Sequence, residues 1–152
     1  MKSVEVNNLT QVEIDQEFIK KIIKEVLREE EREGDVSVAF IGPGRMRKLN
    51  RMYRGKNRTT DVLSFPGKEV SFEQFKIGDF KEVEDLGEIV VCLREVKKNA
   101  KRAGISFDEE LVRVLIHGTL HLLGYDHEKS EEEKEMRKRE EKHLGKILSS
   151  KL

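Results

Sequence analysis

Hydrophobic residues recur along this chain with two periods, one typical of helices and one typical of strands. A helix is predicted from Asp15, and Gly34 can end it. Its apolar stripe consists of Phe18, Ile19, Ile22, Ile23, Val26 and Leu27. Short β-rich runs predict four strands, in the segments SVEVNN, DVSVAFIG, DVLSFP and LGEIVVCL.

Two further helices are predicted in polar surroundings. The segment GPGRMRKLNRMYRG has Met46, Leu49 and Met52/Tyr53 on one helical stripe. The segment REVKKNAKRAG predicts a short helix that ends at Gly104. Residues 67–85 are mixed and polar, which predicts a hairpin or a long loop.

A helix that is apolar almost all round is predicted to begin at the capping box formed by Ser106 and Glu109. Its apolar residues are Leu111, Val112, Val114, Leu115, Ile116, Leu120, Leu122 and Leu123. Such a helix is buried, and Gly124 is expected to end it. A second capping box, Ser130 with Glu133, opens a charged last helix whose i,i+4 ion pairs are Glu133–Arg137 and Glu135–Arg139.

These elements predict an α+β fold: one domain over residues 1–152, with a small mixed four-stranded sheet covered by about five helices.

Charged residues make up 39% of the chain and the net charge is zero, so binding to nucleic acid would need a local basic patch. The single cysteine, Cys92, is expected in the core and excludes a disulfide framework within the chain. Neither a signal peptide nor a membrane-spanning run is visible in the sequence, so we expect a cytoplasmic protein.

The segment LIHGTLHLLGYDHE holds three of the four histidines, at the spacing H-x-x-x-H-x-x-G-x-x-H. His117 and His121 point from one face of a helix, and Gly124 allows His127 to turn back towards them. Three imidazoles leave one tetrahedral position open, as in catalytic zinc sites. We therefore expect one zinc ion per chain, although imidazole also suits copper and nickel. In the alternative, the three histidines bind no metal, and each would need its own hydrogen-bond partner in the core or at the surface.

Gly118 stands where zinc metalloproteases of this spacing carry their general-base glutamate. A helical glycine costs about 1 kcal/mol relative to alanine. It therefore predicts either a closely packed neighbour or the approach of a bulky ligand to the metal, and loss of the carboxylate favours an anionic substrate.

Asp126 or Asp61 could orient a ligand histidine, although Asp126 could equally be a turn residue. We expect His143 to be a solvated surface residue.

The stretch between Ile41 and Thr60 contains no acidic residue. Its basic residues are Arg45, Arg47, Lys48, Arg51, Arg54, Lys56 and Arg58. This run is either a solvated helix face or, beside an open metal site, a surface for a polyanion such as RNA.

The segments HGTLHLLGYDH, LNRMYRGKNRTTDVLSFP and LGEIVVC together resemble the YbeY family of bacterial endoribonucleases, from Leu49 to His127. The resemblance implies a metal-dependent endoribonuclease specific for single strands, which acts on small-subunit ribosomal RNA and in ribosome quality control. It implies an α+β fold with zinc held by His117, His121 and His127. It also implies a role in RNA processing for Arg54 and a cleft lined by the strand in TDVLSF.

We therefore predict Arg54 as the catalytic residue, with substrate-binding residues Arg47, Arg51, Lys56, Arg58 and Ser64. The nucleophile is left open between a hydroxide on the metal and the 2′-hydroxyl of the RNA. The expected partner is ribosomal RNA or the small ribosomal subunit, with no membrane. Two alternatives remain: a metallopeptidase whose base is Asp61 or Glu88, and a non-catalytic, zinc-stabilised module that binds RNA or the ribosome.

Overall fold

The computed structural model describes residues 3–67, 85–125 and 130–149. The described residues form four strands and five helices: β1 (Val4–Asn8), α1 (Gln16–Glu29), β2 (Asp35–Ile41), α2 (Pro43–Arg54), β3 (Val62–Pro66), β4 (Asp85–Cys92), α3 (Leu93–Ala103), α4 (Phe107–Leu122) and α5 (Ser130–Ser149). The hairpin or loop predicted at 67–85 lies almost wholly outside the described residues.

The four strands form one mixed sheet in the order β1-β2-β4-β3. β1, β2 and β4 are parallel, and β3 pairs antiparallel with β4 at the edge. The register places Val38 opposite Ile89 and Ser64 opposite the same Ile89. The predicted α+β class and the mixed four-stranded sheet are thus confirmed.

The two faces of the sheet have different helix layers. On β2 and β4, residues such as Val38 and Ile89 enter the main core beside α1, α3, α4 and α5. Ile41 and Val90 face the opposite side and contribute to a smaller cluster with Met46 of α2. This division follows from the two-residue period of strands, which sends neighbouring side chains to opposite faces. Among the described elements, α2 is the only helix on this face, and only Met46 and Asn50 of α2 are buried.

Helix α4 is the central helix, as its sequence predicts. The Ser106 hydroxyl accepts a hydrogen bond of 3.1 Å from the Glu109 N–H, which confirms the first capping box. The predicted apolar residues are buried, apart from the partly exposed Leu123, and Gly124 follows with φ +100°. Positive φ is a conformation that glycine adopts without strain, so Gly124 ends the helix where predicted.

Helix α5 begins at Ser130, and its predicted i,i+4 ion pairs are present. The N–O distances are 3.0 Å in the pair Arg137–Glu133 and 3.3 Å in the pair Arg139–Glu135. Capping by Ser130 stays a prediction, because residues 126–129 lie outside the described parts of the chain. No helix within those parts combines the length and the apolar character needed to cross a bilayer.

The end of one helix differs from the prediction, and the apolar stripe of another is only partly buried. Helix α1 ends at Glu29 rather than near Gly34, because Glu31 adopts φ +55° and the Arg32 N–H bonds back to the Leu27 carbonyl at 3.0 Å. In α2, Met46 is buried, but Met52 and Tyr53 are 62% and 57% exposed. The small cluster beneath α2 covers only its first turns, so the C-terminal part of the predicted stripe faces solvent.

Candidate active site

His117 and His121 face each other across one turn of α4. Their Nε2 atoms are 3.1 Å apart, and the rings meet edge to face at a centroid distance of 4.6 Å. The helix supplies this arrangement, since residues four apart lie one above the other on the same face. His127, the predicted third ligand, lies outside the described residues, as does Asp126. Within the described residues, no group of three such side chains forms a complete metal site.

The carboxylate that orients His117 comes from α5. Glu140 Oε1 lies 2.6 Å from His117 Nδ1. Sequence reasoning missed this residue and named Asp61, which instead lies 3.3 Å from the Asn99 amide nitrogen and from Thr60 Oγ1. A usable signal existed, because Glu140 stands four residues after Met136 on the stripe of α5 that turns inward.

The geometry of the two histidines fits a bound metal. When Nδ1–H of His117 donates to Glu140, the lone pair of the ring lies on Nε2, the atom that faces His121. Metal-ligating histidines are commonly oriented by a carboxylate in this manner. Two nitrogens at 2.0–2.1 Å from a tetrahedral zinc would be about 3.3 Å apart, close to the spacing of the two Nε2 atoms. Both ring nitrogens therefore stand where ligands of a single ion would stand.

The histidines open into a cleft of about 630 Å³ between α4 and the edge strand β3. Its described lining consists of Arg54, Lys56, Val62, Leu63, Ser64, Pro66, His117, His121, Gly124 and Tyr125. Two cations stand in this lining, and no carboxylate does among the described residues. The cleft is accordingly suited to an anion.

Arg54 is held at the cleft by β3. Its Nη2 donates to the Ser64 carbonyl oxygen at 2.9 Å, and its guanidinium lies 5.8 Å from the centre of the Phe65 ring. These contacts hold the planar group beside β3, where Arg54 lines the cleft. Arg54 and Lys56 thus reach the site where the sequence predicts a phosphate contact.

Gly118 packs against the sheet. A Cβ added there would lie 2.9 Å from Ile89 Cγ2 and 3.3 Å from Ser64 Oγ. Ser64 is itself buried, and its hydroxyl donates to the Gly118 carbonyl at 3.1 Å. Of the two predicted reasons for this glycine, close packing is therefore the one that the structure supports. The Ser64 hydroxyl, predicted to contact substrate, is engaged by α4.

The structure separates the remaining basic residues from the histidines. Arg47 and Arg58 line a different cavity, at the opposite end of α2. Arg51 is exposed on α2 between the two cavities. Of the five predicted substrate-binding residues, only Lys56 and Ser64 line the histidine cleft together with Arg54.

A second histidine–carboxylate pair, His143 with Glu30, lies behind the cleft. The prediction that His143 is a solvated surface residue is therefore wrong. His143 is 1% exposed, and its Nε2 lies 2.8 Å from Glu30 Oε2. Glu30 also accepts a hydrogen bond of 2.6 Å from the hydroxyl of Tyr125, a cleft residue. Burial and then the hydrogen bond to Glu30 raise the pKa of Tyr125.

Comparisons with known proteins give consistent results. A family model described as Endoribonuclease YbeY matches residues 5–148. The chain is 41% identical over 135 residues to an Endoribonuclease YbeY of Caldanaerobacter subterraneus, covering 86% of this chain and 85% of the relative. It is 40% identical over 145 residues to the Carboxydothermus hydrogenoformans protein of the same name, covering 93% and 94%. A solution structure of a Thermotoga maritima protein matches with a TM-score of 0.66 and 29% identity, covering 97% of this chain and 91% of that one.

Proposed function

Since this chain belongs to the YbeY family of endoribonucleases, we propose that it cleaves single-stranded RNA of the small ribosomal subunit with the help of one zinc ion. The family makes it a nuclease, a hydrolase of phosphodiester bonds. The proposal adds the metal, the RNA substrate and a role in ribosomal RNA processing and ribosome quality control. The ribosomal substrate and the preference for single strands rest on the family resemblance of the sequence motifs.

One observation supports the metal above all others: the paired Nε2 atoms of His117 and His121, with Glu140 behind His117. His127 completes the proposed ligand set. The chemistry that zinc supplies when bound is stabilisation of the negative charge that develops on a phosphoryl oxygen. Zinc is preferred over copper or nickel because three histidines and an open position are typical of its catalytic sites.

The side chains of the cleft have separate tasks in this proposal. Glu140 accepts the Nδ1 proton of His117 and keeps that ring in one tautomer and one orientation. Arg54, held by the Ser64 carbonyl, presents its free N–H groups to a phosphate oxygen. Lys56 adds a second positive charge on the same wall. The absence of carboxylates from the described lining avoids repulsion of the substrate.

The metallopeptidase alternative has no base in the described cleft. Asp61 is held beside Asn99, and Glu88 is exposed on β4 opposite Phe65; neither lines the cleft. The position of the protease glutamate is taken by Gly118, where Ile89 leaves no room for a side chain. The non-catalytic alternative is disfavoured because the curated relatives are named endoribonucleases.

The test of this proposal is RNA cleavage by purified wild-type protein beside His121→Ala. The variant should lose both bound metal, measured by elemental analysis, and cleavage of single-stranded RNA. Cleavage that persists at the wild-type rate in the variant would show contamination or a mechanism without this site. Elemental analysis of the wild-type protein also identifies the metal, and a ratio far below one per chain would reject the metal site.

A second variant tests the role of Arg54. Arg54→Glu should keep its metal and lose cleavage at saturating RNA, because loss of a transition-state contact of this kind costs about 10²–10³ in rate. Lys48→Glu is the matched control: it makes the same charge change on the same helix, in an exposed residue that lines neither cavity. Equal losses of rate in the two variants would remove the special role of Arg54.

A further inference from the structure

A second cavity lies where the layers of the fold divide. β2 and β4 are neighbouring parallel strands, so their carboxyl ends meet at one edge of the sheet. The helices that follow them take opposite faces: α2 packs on the small cluster and α3 on the main core. A crevice necessarily opens between two helices that diverge in this way, and in open α/β sheets such crevices are the usual ligand sites.

Basic side chains from three parts of the chain converge on this crevice of about 460 Å³. They are Arg47 from α2, Arg58 from the following segment, and Arg94 and Lys98 from the first turns of α3. The single acidic residue of the described lining is Glu95, 3.7 Å from Lys98. Four positive charges against one negative charge make the crevice strongly basic in a chain whose net charge is zero.

Further polar groups of the crevice are suited to an anion. Arg47 Nε donates to Asn57 Oδ1 at 3.0 Å, which holds the guanidinium in place. Thr59 Oγ1 lies in the same lining, and its buried hydroxyl oxygen has no hydrogen-bond partner within the described parts of the chain. Helices α2 and α3 both begin here without a side-chain cap. Their first free N–H groups, which in α2 begin at Gly44 because Pro43 has none, add positive partial charge to that of the side chains.

We propose that this crevice, defined by Arg47, Arg58, Arg94 and Lys98, binds a backbone phosphate of the same RNA strand whose scissile bond lies in the histidine cleft. The inference rests on the proposed function. Helix α2 has 12 residues and spans about 18 Å between the two cavities. Arg47, Arg51 and Arg54 follow each other along it at spacings of four and three residues, on one side of the helix. The RNA backbone would follow this row of arginines.

The test compares a long single-stranded RNA with an oligonucleotide too short to reach along α2. The variant is Arg94→Gln with Lys98→Gln, and the matched control is Lys101→Gln with Arg102→Gln, two exposed residues in the last turn of the same helix. Binding is measured by fluorescence anisotropy over a range of salt concentrations, in the His121→Ala background so that the RNA is not consumed. Steady-state cleavage of the long RNA is measured with His121 intact.

The crevice variant should bind the long RNA several-fold more weakly, and its salt slope should fall by about 0.7, the value for one lost phosphate contact on a single strand. Binding of the short RNA should not change, and in cleavage KM should rise with kcat unchanged. The proposal would be overturned if the crevice variant lost equal affinity for the long and the short RNA. It would also be overturned if the control variant lost as much affinity for the long RNA as the crevice variant. The proposal would also be overturned if inorganic phosphate bound the crevice and competed equally with the long and the short RNA.

Failure of the proposed function is a different result. In that case the wild-type protein and His121→Ala would cleave RNA equally or not at all. The binding measurements with long and short RNA do not depend on cleavage, and they test the crevice in either case.

Discussion

Two histidine–glutamate pairs attach α5 to the rest of the molecule, and they differ in exposure. His117 of α4 lies 2.6 Å from Glu140, with both side chains 31% exposed at the edge of the cleft. His143 of α5 lies 2.8 Å from Glu30, with side chains 1% and 5% exposed. The same two residue types thus form one pair in contact with solvent and one pair that is almost fully buried.

The second ring nitrogen distinguishes the two pairs. In His117 it faces another imidazole nitrogen in a cleft, while in His143 Nδ1 is buried without a hydrogen-bond partner within the described residues. Glu30 also bonds Tyr125 and lies 3.4 Å from Arg139, so it ties the end of α1 to α5. A carboxylate partner alone therefore does not identify a ligand histidine. The direction of the remaining nitrogen favours the proposed ligand role for His117 and not for His143.

The largest effect should come from breaking the buried pair. Glu30→Ala leaves His143 buried without its carboxylate, and we expect the free energy of unfolding to fall by about 3–5 kcal/mol. The measurement is urea denaturation followed by circular dichroism. The control is Glu29→Ala, whose partner Lys146 is half exposed and whose loss should matter far less. Equal destabilisation by both variants would show that the Glu30–His143 pair has no special structural role.

Breaking the pair at the cleft should affect the metal rather than the fold. Glu140→Ala removes the group that orients His117, and the affinity for zinc should fall about 10–100-fold with little change in unfolding. Competition with a coloured chelator measures the affinity. Glu141→Ala is the control, because the neighbouring Glu141 contacts Arg113 instead, at 3.3 Å. Zinc affinity that is unchanged in Glu140→Ala would contradict the role given to Glu140.

As the pH falls, the metal at the His117–Glu140 pair should be lost first, and the stability contributed by the His143–Glu30 pair should be lost later. Burial, the largest single influence, raises the pKa of Glu30, but the hydrogen bonds from Tyr125 and His143 and the charges of His143 and Arg139 together lower it below its usual range. A lowered folded-state pKa gives stability that is present above the unfolded pKa, about 4.3, and is lost as the pH falls through the folded value. Metal should leave earlier on acidification, because protons compete for imidazole.

The measurement is a pair of titrations between neutral and acid pH, one of bound metal and one of unfolding free energy. The unfolding curves of the wild-type protein and Glu30→Gln should differ most at neutral pH and converge in acid. Curves that stay parallel over the whole range would mean that Glu30 ionises alike in the folded and unfolded chain.

Features that depend on a single element could be predicted from the sequence. The helical period fixes the relation of His117 to His121, so their convergence on one face of α4 needed no knowledge of tertiary packing. The four strands were predicted for the same reason, since β-rich runs between turn residues carry a local signal. Arg54 was found through a family resemblance, and the structure places it on the same cleft.

Features that depend on how α5 packs could not be predicted in this way. Charged residues surround Glu140 and His143 in the sequence, and the pattern favoured a solvated helix. The helix is only sparsely apolar, and its inward face is set by contact with α1 and α4 rather than by a strong period. The exposure of Met52 and Tyr53 has a similar cause, because it depends on how little of the sheet lies beneath α2.

The hydrogen bond from Arg54 to Ser64 also affects how β3 can associate with other chains. Among the described strands, β3 lies at the edge of the sheet, and the backbone bonds at Asp61 and Gly67 show that the N–H and C=O groups of its odd-numbered residues face β4. Its even-numbered residues therefore present their backbone groups outward, where another strand could add. Arg54 occupies the outward carbonyl of Ser64, and Pro66 has no N–H to offer. The arginine that lines the cleft thereby also occupies one of the outward backbone groups with which another strand would pair.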